Sequence, residues 1–288
     1  MALDIVIVNY NSGHYLSDCL ESLKSDVKIP CHRIVVYDNA SSDNSLSDAR
    51  RQFHKEVEYI ENEVNIGFAS AVNKGLKITG NEYILLVNPD MIVLPGTVYL
   101  MVDFLDQNPK CGIAGGEILS AQGAFQPTCR RFPNYYNMLF GRRSFFRRLI
   151  PGNAFSRSYL YSDLDYTKPQ KIDFLEGSLM MLRRVALRDV GLLDEDFFMY
   201  LEDADLSYRM KKNGWETWWL PRAYGIHFRG ETFRKDNIHP MIHHSRGFYK
   251  FFVKHYQPGS MIKFMINLLL VLRLGYVVST ESAKAYLK

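Results

Sequence analysis

The stretch "DIVIVNYNSGHYLSDCLESLK", residues 4–24, decides the fold. It begins with an apolar run over residues 4–9 that is typical of a buried strand, and it continues into an amphipathic helical pattern over residues 14–24. The alternation recurs over the first 120 residues, with predicted strands at 33–37, 58–60, 83–87 and 112–115 and a helix at 70–79. Near-continuous apolar strands separated by helices predict an α/β fold with a Rossmann-like, mostly parallel sheet flanked by helices.

Polar residues follow each of the first four predicted strands. They are Asn9-Tyr10-Asn11-Ser12, the run 38–43, the run 62–68 and Asn88-Pro89-Asp90. Turn formation and helix capping explain about half of them, but not why Asp38 and Asp90 both stand directly at strand tips. Because ligands of such sheets bind beyond the carboxyl ends of the strands, this edge is predicted to hold ribose or base hydroxyls and a metal ion.

Two familiar phosphate-binding motifs are missing from the sequence. No GxGxxG follows the first strand and no GxxxxGK[ST] occurs anywhere, which disfavours NAD binding and P-loop phosphate transfer. A nucleotide diphosphate at this edge would need another source of positive charge. A divalent cation held by carboxylates is the usual substitute.

Charge is unevenly distributed along this chain of 288 residues, whose formal net charge is +4. Residues 118–162 contain no Asp or Glu, but they contain Arg130, Arg131, Arg142, Arg143, Arg147, Arg148 and Arg157. The tail after Phe233 is also basic. Clustered cations among aromatic residues indicate a polyanionic partner, either phospholipid headgroups or nucleic acid, and a solvated face is an equally good explanation.

The cysteines and the apolar segments indicate a cytosolic chain. The four cysteines form no CxxC pair, so we expect reduced thiols and no zinc ribbon. The N-terminal apolar run lacks a preceding basic region, and we interpret it as a first strand rather than a signal peptide. Since the sequence has no uncharged apolar run of about 18 residues, no helix is expected to span a bilayer.

The second half is predicted to be less regular. Residues 122–168 are interpreted as loops around a short helix, residues 172–182 and 215–220 as strands, and residues 239–255 as a helix. The run "EDADLSYRMKKN", residues 202–213, is predicted to be a helix with acids in its first turn and lysines in its last. Asp205 and Arg209 are four residues apart and can pair on one face, whereas Asp203 points about 100° away from its neighbours.

Several of these segments together resemble the bacterial glycosyltransferases of family 2, and most closely the rhamnosyltransferase-like branch. They are "VNYN", "YDNASSD", "NIGFASAVNKG", "LLVNPDM", "LEGSLMMLRR", "GLLDEDFFMYLEDADLSYRM" and "GIHF", in order over residues 4–230. The resemblance implies a GT-A fold and inverting sugar transfer from a nucleoside-diphosphate sugar with Mg²⁺ or Mn²⁺. It implies a nucleotide-sugar-binding half (1–120), an acceptor-binding and catalytic half of the same domain (121–235) and a C-terminal helical region (236–288).

The resemblance also assigns roles to individual residues. Asp38 is similar to the family residue that hydrogen-bonds the pyrimidine, and Asp90 to the metal-binding acid of the DxD-type motif, whose first acid is replaced here by Asn88. His227 is similar to a late histidine that completes the metal site in some members, although a lone histidine is more often structural. Asp203, the second residue of an "ED" pair, is similar to the base that deprotonates the acceptor hydroxyl. Nearby carboxylates would raise its pKa and strengthen it as a base.

The remaining site residues complete the two binding regions. Glu176, Gly177 and Glu202 are expected to bind the acceptor, although a strand with a bulge explains Gly177 equally well. Asp194 and Glu195 are interpreted as turn and cap residues. The donor nucleotide is expected to contact Asn9, Asn11, Asp38, Asn65, Gly67, Asn73, Asn88 and Asp90.

The tail "MIKFMINLLLVLRLGYVV", residues 261–278, has only nine uncharged residues between Lys263 and Arg273. This favours a helix in the membrane interface over a spanning one, while packing on the catalytic domain or in a homodimer stays open. The expected enzyme is peripheral on the inner face of the cell membrane.

We expect it to transfer L-rhamnose from dTDP-L-rhamnose to a saccharide on undecaprenyl diphosphate, in O-antigen or cell-wall polysaccharide synthesis. The alternatives are a UDP-hexose or UDP-N-acetylhexosamine donor, or a non-catalytic nucleotide-binding or scaffold protein. Nucleic-acid binding has no recognised motif in support.

Overall fold

A computed structural model describes residues 3–26, 31–135, 154–228 and 238–286. The predicted alternation in the first half is present, with boundaries that differ from the predicted ones by a few residues. The elements are β1 (Leu3–Asn9), α1 (Tyr15–Asp26), β2 (Cys31–Asp38), α2 (Ser45–Phe53), β3 (Val57–Glu61), α3 (Phe68–Ile78), β4 (Tyr83–Val87), β5 (Met91–Val93), α4 (Thr97–Gln107) and β6 (Cys111–Ser120).

The second half contains shorter strands and the remaining helices. The elements are β7 (Phe125–Gln126), β8 (Cys129–Arg130), α5 (Ala154–Tyr159), β9 (Gln170–Ile172), β10 (Phe174–Leu175), β11 (Leu179–Arg183), α6 (Arg184–Val190), α7 (Glu202–Lys212), β12 (Glu216–His227), α8 (Ile238–Tyr256) and α9 (Ser260–Tyr286). β6 ends at Ser120, at the predicted boundary between the two halves of the domain, and that division stays a prediction.

One large, mostly parallel sheet joins the two halves. Its strand order is β3-β2-β1-β4-β11-β6-β12-β5, with β7 added to β6 and β9 added to β12. Strands β1 to β4 are mutually parallel, β11 runs antiparallel between β4 and β6, and β12 is parallel to β6. The carboxyl ends of β1, β2, β4, β6 and β12 therefore lie at one edge of the sheet, where ligands of parallel sheets bind.

Helices cover both faces of the sheet, as the buried strand pattern requires. On one face α1, α2 and α4 pack their apolar sides against residues such as Ile5 and Leu85. On the other face α3, α6 and α7 pack against Val6 and Ile84. Alternate residues of β1 and β4 thus point into two separate cores, which explains why every residue of both strands is buried.

The prediction of one continuous strand over residues 172–182 is wrong. It is divided into the end of β9, β10 and β11, with a tight turn in which Ser178 N donates to Glu176 O at 2.9 Å. The backbone N–H of Glu176 pairs with Thr128 O at 3.0 Å instead of with the large sheet. The turn frees Gly177 N–H for a side chain of another element, which an apolar pattern does not reveal.

The strand predicted over 215–220 is longer in the structure and extends to His227. Its register with β6 shifts between Trp219 and Tyr224, where Arg222 has φ 64°. This irregularity is a bulge-like break that keeps the second half of β12 paired with β6 and β5. It brings His227 to the ligand-binding edge.

A third apolar core lies outside the sheet layers. Phe248, Phe251 and Phe252 of α8 pack with Ile266 and Leu270 of α9 and with residues around the start of α7. Within the described ranges, no helix is long and apolar enough to cross a membrane. Arg142, Arg143, Arg147 and Arg148 of the arginine-rich stretch lie outside the described residues, so its partner stays a prediction.

Candidate active site

A buried polar network ties together the carboxyl ends of β1 and β2. Asn9 is fully buried, and its Nδ2 donates to Asp38 Oδ1 at 2.7 Å and to Ser45 Oγ at 2.9 Å. Asp38 also accepts hydrogen bonds from Ser41 N at 2.9 Å and Ser41 Oγ at 2.7 Å. Since a carboxylate offers about four acceptor positions, Asp38 keeps capacity for about one further donor. Asn9 thus orients Asp38 rather than facing a ligand with its own amide nitrogen.

Asn11 connects the loops that follow the same two strands. Its Oδ1 accepts hydrogen bonds from Ser42 N at 2.7 Å and Asp43 N at 3.3 Å, and its backbone N–H donates to Ser41 Oγ at 2.9 Å. Asn11 itself has φ 49°, in the left-handed region that asparagine tolerates better than most residues. The two loops therefore form one rim of the edge.

Asn39 is a site residue that the sequence did not single out. Its side chain, 3% exposed, donates to Asn65 Oδ1 at 2.8 Å and to Gly67 O at 3.2 Å, and its Oδ1 accepts from Ile66 N at 3.0 Å. Asn65 and Gly67 are thereby held beside the end of β2. The available signal was the position of Asn39 directly after Asp38 at a strand tip.

Gly67 connects the edge beside the end of β2 to the segment before α7. Its φ is 86°, and an added Cβ would lie 2.7 Å from both the carbonyl oxygen and the ring of Phe198. The next residue, Phe68, donates its backbone N–H to Phe198 O at 2.6 Å. Only glycine fits this backbone conformation and this close approach.

Asn73 lies one and a half turns along α3, and the structure gives it a structural role. Its Nδ2 donates to Leu193 O at 2.8 Å and to Glu195 Oε1 at 2.9 Å, while its Oδ1 accepts from Leu193 N at 3.0 Å. These bonds fix the loop after α6 and use both ends of the amide. The assignment of Asn73 to the donor nucleotide stays a prediction, as do the other residue assignments.

Asp90 and His227, which the resemblance paired, lie together in the structure although 137 residues separate them in the chain. His227 Nε2 is 3.2 Å from Asp90 Oδ1, and the two side chains are 11% and 15% exposed. The pairing of β12 with β5 sets His227 beside Met91 in register. Backbone pairing of strands from the two halves therefore builds this pair.

The chemistry of this pair fits a divalent cation. A carboxylate and an imidazole are both ligands of Mn²⁺, and Mg²⁺ is commonly bound through one or two carboxylates plus substrate phosphates and water. In the described part of the chain no three His, Cys, Asp or Glu side chains group into a closed metal cage. If a cation binds here, Asp90 and His227 would supply two of its ligands and a bound diphosphate would supply others.

Asp203 stands in the first turn of α7 with both carboxyl oxygens oriented by backbone N–H groups. Oδ2 accepts from Gly177 N at 3.1 Å, across the turn before β11, and Oδ1 accepts from Ala204 N at 2.7 Å. Burial, together with the charge of Glu176, raises the pKa of Asp203 to about 7, although the hydrogen bonds from these two N–H groups lower it. The pKa is raised as predicted, but burial contributes more to the rise than the neighbouring carboxylates do.

Two other carboxyl groups, those of Glu176 and Glu202, lie close enough to Asp203 to interact with it electrostatically. Glu176 Oε1 accepts from the buried Arg130 Nη2 at 2.7 Å, so its carboxylate is held as an ion pair. Glu202 is 6% exposed, and its Oε2 has no hydrogen-bond partner among the described residues. Burial, followed by the charges of Asp203 and Asp205, raises the pKa of Glu202 well above its ordinary value.

The third acid of the run, Asp205, belongs to the scaffold. It forms the predicted pair with Arg209, whose Nε lies 2.8 Å from Asp205 Oδ2. His255 Nε2 and Lys254 Nζ each lie 2.7 Å from Oδ1. Burial alone would raise the pKa of Asp205, but the hydrogen bond from His255 and the charges of Arg209 and Lys254 lower it to about 2.

Backbone contacts bring Asp203 of α7 to the same edge as the Asp90–His227 pair. Ser178 O accepts from Asn88 N at 3.0 Å, so the turn that binds Asp203 adjoins the tip of β4, two residues before Asp90. A side chain at position 177 would meet Met180, because a Cβ added to Gly177 would lie 3.0 Å from the terminal methyl carbon of Met180. The edge thus holds the oriented carboxylate of Asp38, the Asp90–His227 pair and the Asp203 carboxyl with a pKa of about 7.

A sequence model described as "Glycosyl transferase family 2" matches residues 4–191. The chain belongs to this family. It is therefore a glycosyltransferase, and the predicted GT-A fold and family are confirmed. The match includes the tips of β1, β2 and β4 and the Gly177 turn, but it ends before α7 and α8.

Known proteins similar to this glycosyltransferase include rhamnosyltransferases. It is 27% identical over 260 residues to an N-acetylglucosaminyl-diphospho-decaprenol L-rhamnosyltransferase of Mycobacterium tuberculosis, covering 86% of this chain and 83% of the relative. It is 25% identical over 236 residues to the rhamnosyltransferase WbbL of Escherichia coli, covering 78% and 82%.

A solved mannosyltransferase shares its fold. The mannosyltransferase PcManGT of Pyrobaculum calidifontis, in complex with GDP-Man and Mn²⁺, superposes with a TM-score of 0.61 at 14% identity, covering 99% of this chain and 80% of that one.

Proposed function

We propose that this glycosyltransferase moves L-rhamnose from dTDP-L-rhamnose, with inversion, to a saccharide carried on a lipid diphosphate, in the synthesis of a bacterial surface polysaccharide. The arrangement of Asp203, Gly177 and the Asp90–His227 pair at one edge of the sheet carries the proposal for the reaction type. The names of the two rhamnosyltransferase relatives support the choice of sugar, and the name of the mycobacterial one supports a diphospho-polyprenol acceptor.

The donor nucleotide binds along the tips of β1 and β2. Asp38, oriented by Asn9 and Ser41, accepts a hydrogen bond from the base, and the loop held by Asn39 encloses the nucleoside. Asp90 and His227 would hold Mg²⁺ or Mn²⁺ against the diphosphate. A bound cation there would neutralise charge on the departing diphosphate.

Asp203 acts as the general base. Its carboxylate accepts the proton of the acceptor hydroxyl while that oxygen forms a bond to the anomeric carbon, and the bond from this carbon to the diphosphate oxygen breaks on the opposite face. A base with a pKa near the working pH combines a large ionised fraction with a useful affinity for the proton. The N–H groups of Gly177 and Ala204 fix the direction of the carboxylate, and Glu176 and Glu202 are proposed to contact the acceptor sugar.

Metal-dependent nucleotide binding tests the donor half of the proposal. Thermal unfolding would be followed with dTDP, UDP and GDP, each with and without Mn²⁺, for the wild type and Asp90→Ala. A nucleotide at about 100 times its Kd adds roughly 2.7 kcal/mol of stability. We expect dTDP with Mn²⁺ to stabilise the wild type most and Asp90→Ala to lose that effect. A preference for UDP would replace rhamnose by another sugar, and no response to any nucleotide would contradict the proposal.

A further inference from the structure

The backbone just before Asp203 adopts an unusual conformation. Tyr200 has φ 71° and Leu201 has φ 70°, so two consecutive residues with side chains lie in the left-handed region. Non-glycine residues rarely adopt this region, and surrounding structure has to hold them there. Leu201 directly precedes α7 and makes no side-chain hydrogen bond that caps the helix. The direction of the first turn of α7 therefore depends on contacts from elsewhere.

Helix α8 supplies a backbone contact at this pair. Gly247 lies in the middle of α8, and an added Cβ would lie 2.7 Å from Tyr200 O and 3.3 Å from Leu201 Cβ. Glycine is a poor helix former in such a position, so the helix gives up intrinsic stability to approach the strained pair closely. The contact is backbone to backbone, which no rotamer change can relieve.

Two histidines of the same helix contact the segment that leads to this pair. The ring of His243 stacks on Phe198 with centroids 4.5 Å apart, and the ring of His244 meets Tyr200 edge-on at 5.8 Å. Phe198 in turn contacts Gly67 at the nucleotide side. The segment is thus held between the loop of the donor half and helix α8.

The C-terminal end of α8 binds the first turn of α7 at Asp205, on the other side of Asp203 along the chain. His255 and Lys254 both bind Asp205 Oδ1, and Lys254 Nζ also lies 2.5 Å from Asp194 Oδ2. Helix α8 therefore contacts the chain before Asp203, at Tyr200 and Leu201, and after it, at Asp205. No contact of α8 with Asp203 itself is needed to set its orientation.

We infer that helix α8 is a positioning element for the carboxyl of Asp203, and that Gly247 is the positioning residue through which α8 sets the Tyr200–Leu201 backbone. This inference rests on the proposed function, which makes Asp203 the base. It places part of the catalytic apparatus beyond residue 191, where the family match ends. A displaced Tyr200–Leu201 pair would rotate the first turn of α7 and separate Asp203 from Gly177 N–H.

Gly247→Ala tests the inference, with Gly275→Ala as the matched control. Both replace a helical glycine by alanine, but an added Cβ at Gly275 meets nothing within 4 Å. The first measurement is amide hydrogen exchange by mass spectrometry, which needs no activity. We expect Gly247→Ala to speed amide exchange in peptides from residues 198–206 and to leave exchange in peptides from β1 and β4 unchanged. Gly275→Ala should exchange like the wild type in all of these peptides.

The second measurement is transfer from the nucleotide sugar. We expect Gly247→Ala to lower kcat about 10- to 100-fold, since a misplacement near 1 Å can cost about 10²-fold, with KM for the donor unchanged. The acidic limb of kcat/KM should also move to lower pH, because a displaced Asp203 becomes better hydrated. A loss of folded enzyme alone would also lower the apparent kcat at an unchanged KM, but it would leave the pH profile in place. The pH profile, and kcat calculated per folded enzyme, therefore distinguish a positioning role from a purely structural one.

If Gly247→Ala does not fold, Lys254→Met is the second variant that tests the inference. It removes the ammonium group that contacts Asp205 and Asp194 but keeps the apolar stem, and the same changes are expected on a smaller scale. Unchanged exchange over residues 198–206 in the folded variants would overturn the inference, and so would faster exchange with an unchanged kcat and pH profile. If the wild type transfers no sugar, the proposed function fails, while the exchange result still decides whether α8 holds the segment.

Discussion

Asp203 owes its expected reactivity to the contrast with its two acidic neighbours. Asp205 is paired with cations and stays ionised, and Glu202 is buried with its Oε2 unpaired among the described residues. Asp203 lies between these extremes with a pKa of about 7. Three carboxylates in one turn thus have three environments because successive helical residues point about 100° apart. The separation of roles follows from where each side chain points, and not from the residue type.

Replacing Asp203 by Asn should remove the base and leave nucleotide binding intact. General base catalysis is typically worth about 10²–10⁴-fold, so we expect kcat to fall by that factor while the nucleotide-induced shift of the Tm is retained. Asp196→Asn, an exposed acid in the segment before α7, is the control and should keep full activity. A kcat for Asp203→Asn within about threefold of the wild type would assign the base elsewhere.

The pH dependence of kcat/KM should report the same residue. A base is active when deprotonated, so a pKa of about 7 predicts a kcat/KM that is constant above that pH and falls with decreasing pH below it. In Glu176→Gln a charge that raises the pKa of Asp203 is lost, so the falling limb should move to lower pH. A limb at the ordinary pKa of an exposed aspartate in the wild type would contradict this assignment.

At the scale of elements, α7 is fixed by charges that it shares with α8. Asp205 is fully buried and accepts bonds from Arg209, Lys254 and His255. Since the folded state holds the pKa of Asp205 at about 2, below its ordinary value of 3.8, its contribution to stability is present above about pH 4. That contribution is lost as the pH falls toward 2.

Asp205→Asn should therefore destabilise the protein at neutral pH. Breaking a buried ion pair by removing one partner costs about 3–5 kcal/mol, which urea denaturation at pH 7 would measure. Asp48→Asn is the control, since Asp48 pairs with Arg51 on the exposed side of α2, and such exposed pairs contribute about 0–1 kcal/mol. Equal effects of the two substitutions would mean that the α7–α8 contact contributes little.

At the scale of the whole molecule, α9 presents an apolar stripe away from the protein. The stripe consists of Met261, Phe264, Met265, Leu268, Val271 and Leu272, which are 46–78% exposed. The opposite side of α9 buries Ile266 and Leu270 against α8. Residues 237–280 contain no Asp or Glu, so a negatively charged lipid surface would meet no repulsion there. The exposed stripe disfavours packing of the whole helix on the catalytic domain. Of the two possibilities that remain, a membrane interface and a homodimer, we propose the first.

The stripe predicts binding to anionic vesicles. We expect the wild type to cosediment with vesicles containing phosphatidylglycerol, and Phe264→Ser with Leu268→Ser to weaken that binding at least tenfold, since two buried apolar side chains contribute about 1.5–3 kcal/mol each. Asn267→Ser, an exposed polar position of the same helix, is the control. A wild type that stays in the supernatant but forms concentration-dependent dimers would favour the homodimer instead.

Local patterns in the sequence determined the α/β architecture. The period of the apolar residues predicted β1 to β4, α1 and α3 within a few residues, because each of those patterns depends on which faces are buried. The helix α7 was predicted from the acids in its first turn and the lysines in its last. The strand tips were located for the same reason, and the resemblance of short motifs then identified the family and named Asp38, Asp90, His227 and Asp203. Periodicity failed at residues 172–182, where a turn inside an apolar run serves Asp203 instead of the sheet.

Tertiary structure alone decided other contacts between distant parts of the chain. The hydrogen bond from Asn39 to Asn65 and the close approach of Gly247 to Tyr200 join residues that no sequence pattern related. The resemblance paired His227 with Asp90, but only the pairing of β12 with β5 shows how they meet. The pKa of Asp203 near 7 likewise depends on burial and on Glu176, which its own sequence neighbours do not specify. Such contacts and pKa values arise from the packing of several elements against one another. The sequence pattern of a single helix or strand shows only which of its sides is buried.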